Sequence, residues 1–357
     1  MAEKEHVFIA ISGGIDSAVA AVKLLETGYR VTGIYMRIWR DPASQSGDDK
    51  ENPMGLAQST AEFLGIPFIS LDVRDAFYQD IVQPFITRYL AGQTPNPCLF
   101  CNPLVKWGIL QTYAFTHGAD LFATGHYARV EQLPSGKVRL LKASDQTKDQ
   151  SYVLSMLSQA QLSRSCFPLG EMIKEDVRRK ADALDLPAAN QPESQDLCFL
   201  GKGDYRTFLR RVSPESFQPG EIVDVKGEVL GEHDGLAFYT IGQRKGIRIA
   251  ASEPYFIADK DIPNNRLIVG FADQIGKTVL DAAQANWISG EPPRVGQIYY
   301  VMIRYRAKPV PGELSMATRD SFRLEFKKQL SGITPGQAAV LYLGEECLGG
   351  GVIQASL

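Results

Sequence analysis

Six residues, Ser12-Gly13-Gly14-Ile15-Asp16-Ser17, constrain this chain more than any others. They follow a short apolar run, VFIAI at 7–11, and lead into AVAAVKLL at 18–25, which has helical character. A strand, a glycine-rich turn and a helix start, in that order, form an anion site. Backbone N–H groups point outward there and the helix dipole favours negative charge. Adjacent glycines let the backbone come close to a phosphate, and Ser12 and Ser17 add hydroxyl donors. Asp16 is out of place beside a phosphate unless it orients a metal ion or caps the turn. The spacing is neither G-x-x-x-x-G-K-[ST] nor G-x-G-x-x-G. A tight turn capped by Ser and Asp is the plainer account; the whole hexamer in this setting speaks against it.

At 357 residues the chain exceeds one ordinary domain, so two or three are expected. It is 44% hydrophobic and 22% charged, as soluble globular proteins are. No apolar run approaches the roughly 20 residues of a membrane span, and no signal-peptide pattern opens the chain. The expectation is a cytoplasmic protein with no membrane partner. The net charge of −3 argues against non-specific binding of polyanions. A local basic face is still enough for RNA phosphates. The basic clusters are Arg178-Arg179-Lys180, Arg206 with Arg210-Arg211, Arg244-Lys245 with Arg248, and Arg304 with Arg306 and Lys308. Each taken alone reads as a solvated face.

Strands and helices alternate from 7 to 130. Strands are expected at 7–11, 29–36, 66–73 and 119–124, and helices at 55–64, 75–90 and 103–117, with a polar loop at 41–53. This order implies an α/β fold with a doubly wound parallel sheet, whose ligands sit beyond the carboxyl ends of the strands. The loop at Ser12, the segment after Met36 and Gly125-His126 all lie at such ends. A hairpin spans 128–142 and turns at Pro134-Ser135-Gly136. Helices follow near 151–156, 159–163 and 174–184. From about 205, short strands and Gly/Pro turns suggest a small central β-rich domain. Alternating segments at 296–306, 322–326 and 337–343 suggest a C-terminal β-barrel. The expected domains are residues 1–204, 205–275 and 276–357.

The five cysteines are Cys98, Cys101, Cys166, Cys198 and Cys347. An odd number without a secretory signal does not suggest a disulfide framework. Cys98 and Cys101 form a Cys-x-x-Cys pair, which suits a metal, a redox pair or plain burial. Asn102-Pro103 places Cys101 at a helix start, where the dipole lowers a thiol pKa. Cys198, between Leu197 and Phe199, would by itself read as a small core residue. In a chain with a phosphate loop and two other thiols it becomes a third candidate.

The hexamer resembles the SGGxDS loop of the ATP pyrophosphatases. The whole chain resembles the bacterial tRNA-specific 2-thiouridylases. The resemblance is carried by AISGGIDS (10–17), TPNP with a cysteine and CN (94–102), ATGHY (123–127), KDQSY (148–152), SQDLCF (194–199), TIGQRKG (240–246), RYR (304–306), TPGQ (334–337) and CLGGG (347–351). It implies a HUP-like PP-loop domain that uses ATP and Mg2+ to convert the wobble uridine of tRNA, of the Lys, Glu and Gln type, to 2-thiouridine. It implies tRNA as partner and a cysteine desulfurase relay as persulfide donor. Carried over by motif, Ala10, Ile11, Ser12, Gly13, Gly14, Ile15, Asp16, Ser17, Met36 and Gly125 bind ATP. Asn96, Pro97 and Cys98 face the target base. His126, Lys148, Asp149, Gln150, Arg304, Tyr305 and Gln337 touch tRNA, and Cys101 and Cys198 are the catalytic pair.

The chemistry is coherent. A uracil oxygen leaves poorly until it carries AMP, and a persulfide on Cys198 can then supply sulfur, ending in a Cys101–Cys198 disulfide. One departure matters: many members carry aspartate where this chain has Cys98. Cys98, Cys101 and Cys198 then offer a second route, a [4Fe–4S] cluster with one open position. An adenylating ligase of the same superfamily, or an RNA-binding protein with an idle loop, are the rival functions. Neither needs Cys101 or Cys198.

Overall fold

The computed structural model describes residues 4–41, 53–191, 197–200, 204–214 and 217–356. The polar loop expected at 41–53 therefore lies almost wholly outside the described residues, as do Ser194, Gln195 and Asp196 of the SQDLCF motif.

The first half of the chain builds a five-stranded parallel sheet. Its strands are β1 (His6–Ala10), β2 (Arg30–Arg37), β3 (Phe68–Asp72), β4 (Leu121–Thr124) and β7 (Ser165–Cys166), in the order β3-β2-β1-β4-β7. Val7, Phe8 and Ile9 are buried because the central strand of a parallel sheet is covered on both faces. Helix α1 (Ile15–Glu26) lays Ala18, Ala20 and Ala21, all fully buried, against the sheet, and these small residues allow a close approach. The order of the strands reverses between β1 and β4, where Ala10 pairs with Thr124. The crevice at that switch is where such sheets bind ligands.

Helix α2 (Pro53–Phe63) follows the loop after β2. Two longer helices, α3 at 74–90 and α4 at 98–116, each contain a π-helical stretch, Tyr78–Val82 and Asn102–Leu110. A helix beginning at Pro103 was expected. Instead α4 begins at Cys98 and runs through the proline. Pro103 has no N–H to give, so the ordinary ladder breaks there. The turn widens to i→i+5 bonding, with the Gln111 N–H on the Lys106 carbonyl.

The expected hairpin forms as β5 (Arg129–Gln132) and β6 (Val138–Leu141). It does not stay within the first domain, because β6 pairs with β17 at the C-terminus. Short helices α5 (Ser151–Leu154) and α6 (Gln159–Leu162) follow, then α7 (Lys174–Ala183). At 205, where only strands were expected, Tyr205–Val212 forms helix α8. Asp204 caps it by accepting from the Thr207 N–H at 2.8 Å. The central sheet then runs β10 (Phe256–Asp261), β11 (Arg266–Gly270), β8 (Gly220–Asp224), β9 (Val229–His233).

The C-terminal strands are β12 (Lys277–Trp287), β13 (Ile298–Met302), β14 (Val310–Ala317), β15 (Ser321–Leu330), β16 (Ala338–Leu343) and β17 (Glu346–Ser356). They run β12-β15-β14-β13-β16-β17, and β17 pairs back to β12 to close the barrel. The three parts are not separate bodies. One apolar cluster holds Phe85 and Leu99 from the first part, Phe208 from α8, and Val340, Tyr342 and Cys347 from the barrel. Asn286 of β12 donates both amide hydrogens to the first part, to Ser155 O at 2.8 Å and Leu157 O at 2.9 Å.

Lys260 of the central sheet is 9% exposed and donates to Gly92 O, just beyond α3, at 3.0 Å. Burial pulls its pKa down from 10.5 to about 8. Between those values the unfolded chain holds the extra proton, so stability rises with pH there. Below pH 8 the full penalty applies, on the order of 3 kcal/mol, offset by about 1 kcal/mol from the hydrogen bond. Lys260→Met is expected to raise the thermal midpoint at pH 7. At pH 10 the gain over the parent should shrink, and paired melting curves at the two pH values check this.

Candidate active site

The turn after β1 has the geometry of an anion cradle. Gly13 sits at φ +83°, and a Cβ there would meet Pro53 O at 2.5 Å, so only glycine fits. Gly14 caps α1 with extended backbone. Ser17 Oγ donates to Gly14 O at 2.9 Å, accepts from Ser12 N–H at 3.1 Å and lies 3.2 Å from Ser12 Oγ. Asp16 does not cap the turn. Its carboxylate accepts from Lys174 Nζ at 2.6 Å and from the Tyr127 hydroxyl at 2.7 Å. Lys174, the first residue of α7, is buried, and its backbone N–H is held by Asp145 at 3.0 Å. Asp16 thus ties the start of α1 to α7 and to the strand-end residue Tyr127. Ala10 and Ile11 form the approach to the turn, Ile15 is buried in α1, and Met36 packs near the end of β2.

Gly125 closes the other side of the crevice. A Cβ on it would lie 2.8 Å from Ser17 N and 2.9 Å from the Asp16 carbonyl carbon. The next residue, His126, is half-buried against Trp107, with ring centroids 5.8 Å apart. Its Nε2 is 3.4 Å from Lys106 Nζ and its Nδ1 is 2.7 Å from Thr124 Oγ1. An ammonium only donates, so Nε2 is the acceptor and Nδ1 carries the proton. Burial, reinforced by the Lys106 charge, lowers the His126 pKa well below 6.5, so the ring is neutral.

The charge of Lys106 also reaches the three thiols. Cys98 and Cys198 open to solvent, whereas Cys101 is buried; none is in a disulfide. Burial pushes Cys101 up to about 12; Cys198 and Cys98, on the open side of the crevice, are raised as well by the protein crowded around them. In each case Lys106 pulls the other way. This corrects the expectation that a helix start lowers the Cys101 pKa. Cys101 is the fourth residue of α4, not its first, and loss of water outweighs the dipole. Cys198 is not a core residue either. Its neighbour Phe199 is the buried one, wedged between Phe77 and Phe85 of α3 and Phe208 of α8. Among the described residues no group of three Cys, His, Asp or Glu side chains could hold a metal ion. The arrangement of Cys98, Cys101 and Cys198 therefore gives the [4Fe–4S] alternative no support.

The strap before Cys98 is gripped from several directions. Thr94 N–H donates to Pro335 O at 2.9 Å, and Gln337 Nε2 donates to Thr94 O at 2.7 Å. Thr94 Oγ1 lies 3.4 Å from Thr240 Oγ1, and Thr334 Oγ1 donates to Ile241 O at 3.3 Å. The TPNP, TIGQ and TPGQ motifs meet here. Asn96 Oδ1 accepts from the Cys98 N–H at 3.1 Å, and Pro97 caps α4. Asn102 clamps α4 to α5 through Val153 O at 2.7 Å.

The residues expected at tRNA divide into two kinds. Arg304 is exposed, and Tyr305 beside it packs 5.9 Å from Tyr152 and feels the charge of both Cys98 and Asp149. This barrel loop therefore comes near Cys98. Asp149 and Gln150 turn inward instead. Asp149 accepts from Ala143 N–H at 2.9 Å and Ser151 Oγ at 2.7 Å; Gln150 Oε1 accepts from Tyr127 N–H at 2.9 Å. Lys148 stands beside them, half-buried. Gln337 has its amide nitrogen committed to the strap. Lys106, Lys174 and Tyr127 were missed as site residues. In an ordinary helix Lys106 would sit about 140° round from Cys101, which hid it.

Comparison with known proteins followed the same three-part division. The family description tRNA methyl transferase HUP domain matches residues 5–202, a tRNA methyl transferase PRC-barrel domain 206–271, and an aminomethyltransferase beta-barrel domain 277–353. A tRNA-specific 2-thiouridylase MnmA from Chloroflexus aurantiacus is 41% identical over 98% of both chains. One from Carboxydothermus hydrogenoformans is 41% identical over 99% of both. Among solved structures, NMN synthetase from Francisella tularensis aligns with 59% of this chain and 78% of its own, at 15% identity and a TM-score of 0.34.

Gly125→Val tests the crevice. Its Cβ has no space against the backbone of Asp16 and Ser17, so the variant should bind ATP at least about tenfold more weakly by calorimetry.

Proposed function

The chain belongs to the family of tRNA-specific 2-thiouridylases, and from that premise we propose that it replaces O2 of a tRNA wobble uridine with sulfur, driven by ATP. The observation that supports this reading is a continuous path of side chains. The phosphate turn abuts Gly125, His126 follows it, Lys106 bonds His126, and the charge of Lys106 bears on three thiols. An adenylating ligase has no use for the far end of that path.

In this reading residues 10–17, Met36 and Gly125 hold ATP, with its β- and γ-phosphates on the turn. Mg2+ shields phosphate charge when bound. Asp16 is already engaged by Lys174 and Tyr127, so most ligands of a hard cation there come from phosphates and water. Asn96, Pro97 and Cys98 receive the uracil, pulled from its stack in the anticodon loop. Uracil O2 attacks the α-phosphorus and pyrophosphate leaves, which makes the oxygen a good leaving group.

Sulfur arrives as a persulfide on Cys198, delivered by a desulfurase relay. The Cys101 thiolate attacks the Cys198 Sγ. The persulfide S–S bond breaks, hydrosulfide departs with the electron pair, and a Cys101–Cys198 disulfide forms. Hydrosulfide displaces AMP at C2, leaving 2-thiouridine. An external dithiol returns two electrons and two protons to the disulfide. Residues 1–204 carry this chemistry. The parts at 205–275 and 276–357 grip tRNA, with His126, Lys148, Arg304 and Tyr305 nearest the bound loop. A cytoplasmic site of action goes with this substrate.

Mass spectrometry of tRNA nucleosides after incubation with ATP, Mg2+ and a persulfide source tests the reading. The parent should form 2-thiouridine; Cys101→Ser and Cys198→Ser should form none while still binding ATP. Full activity in both variants would defeat it. Arg304→Ala should weaken tRNA binding and flatten its salt dependence by up to about one phosphate contact. An unchanged salt slope removes Arg304 from the interface.

A further inference from the structure

We propose that Lys106 is the positioning cation of the sulfur-transfer centre: the π turn of α4 aligns it with the thiols, and neutral His126 anchors its ammonium.

The geometry begins with Pro103. Its missing N–H opens the helix into i→i+5 bonding from Asn102 to Leu110. That winding brings Lys106 toward the face of Cys101, five residues earlier. The ammonium then reaches His126 Nε2 at 3.4 Å. His126 is itself fixed by Thr124 Oγ1 at 2.7 Å and packed between Trp107 and Phe167. A neutral imidazole acceptor holds the lysine without cancelling its charge.

The need for that charge follows from burial. Buried Cys101 lies at about 12, so few of its thiolates form at neutral pH, and the protein crowded around Cys198 shifts it in the same direction. The other groups that face the thiols are Arg40 and Tyr35 toward Cys198 and Tyr305 toward Cys98. Arg40 acts on Cys198, whereas Lys106 acts on all three cysteines. The attacking thiolate, the persulfide and the departing hydrosulfide are anions in turn. One fixed ammonium serves each.

The inference rests on the thiouridylase reading, but its test needs neither ATP nor tRNA. The full-length protein is alkylated with iodoacetamide from pH 7 to pH 9, and peptide mass spectrometry follows Cys198 and Cys101 separately. Circular dichroism confirms the fold of each variant. Lys106→Met should slow alkylation at pH 8 about tenfold, the effect of one nearby charge on thiolate population. Lys106→Arg should stay close to the parent. Lys106→Gln gives the same readout if the methionine variant fails to fold. Unchanged rates in Lys106→Met or Lys106→Gln would overturn the proposal. So would faster alkylation, the sign expected if the lysine only seals the crevice and its loss admits water. A null result here alongside normal tRNA thiolation by the parent sinks only this inference. The expected slowing without any thiolation by the parent sinks only the reaction.

Discussion

The rest of the site depends on a pair of backbone hydrogen bonds at Thr94. Its N–H is taken by Pro335 and its carbonyl by Gln337, both from the barrel. The strap that carries Cys98 and starts α4 is thereby locked to the C-terminal third of the chain. The central part of the chain touches the same stretch through Thr240, at Thr94, and Lys260, at Gly92. Gly336 makes the contact possible, since a Cβ there would press on Thr94 N at 3.1 Å. Segments far apart in sequence meet because each supplies one side of a single extended peptide. The thiols are positioned by the whole molecule, although they belong to its first domain.

Two opposed electrostatic demands meet in that site. The displacement step favours a sheltered site, because a hydrosulfide that escapes to solvent is lost to side reactions. Excluding water stabilises a thiol against ionisation, as the raised pKa of buried Cys101 shows. The phosphate end of the crevice solves the same problem differently. There the donors are backbone N–H groups and hydroxyls, fixed by the Ser12–Ser17 network, and the carboxylate of Asp16 is neutralised by Lys174. Anion stabilisation is thus dipolar at one end and cationic at the other.

Much of the fold was legible in local patterns. The parallel sheet follows from alternating apolar runs and turns, and the barrel from period-two strands. The phosphate turn was legible because glycine and serine at fixed spacing state their geometry. Two features were not. The π winding of α4 hides Lys106, since helical periodicity assumes a constant turn. Helix α8 was lost in a Gly/Pro-rich neighbourhood although Asp204 caps it. Long-range partners left no local trace: Lys174 looks like a surface base until it is found beside Asp16. Asp149 and Gln150 show the reverse. Polar residues in a motif suggest an outward face, but their side chains satisfy the backbone of Ala143 and Tyr127.

The hairpin β5–β6 has a consequence for how the chain comes together. Leu140 comes early in the chain, and its strand partner, Cys347, far later. Without β16 and β17 the first domain carries an open strand edge, and its apolar cluster lacks Val340, Tyr342 and Cys347. Such long-range closure is slow and leaves sticky surface exposed during synthesis. The first domain by itself is thus an unfinished object, and truncation anywhere before β17 leaves its core open.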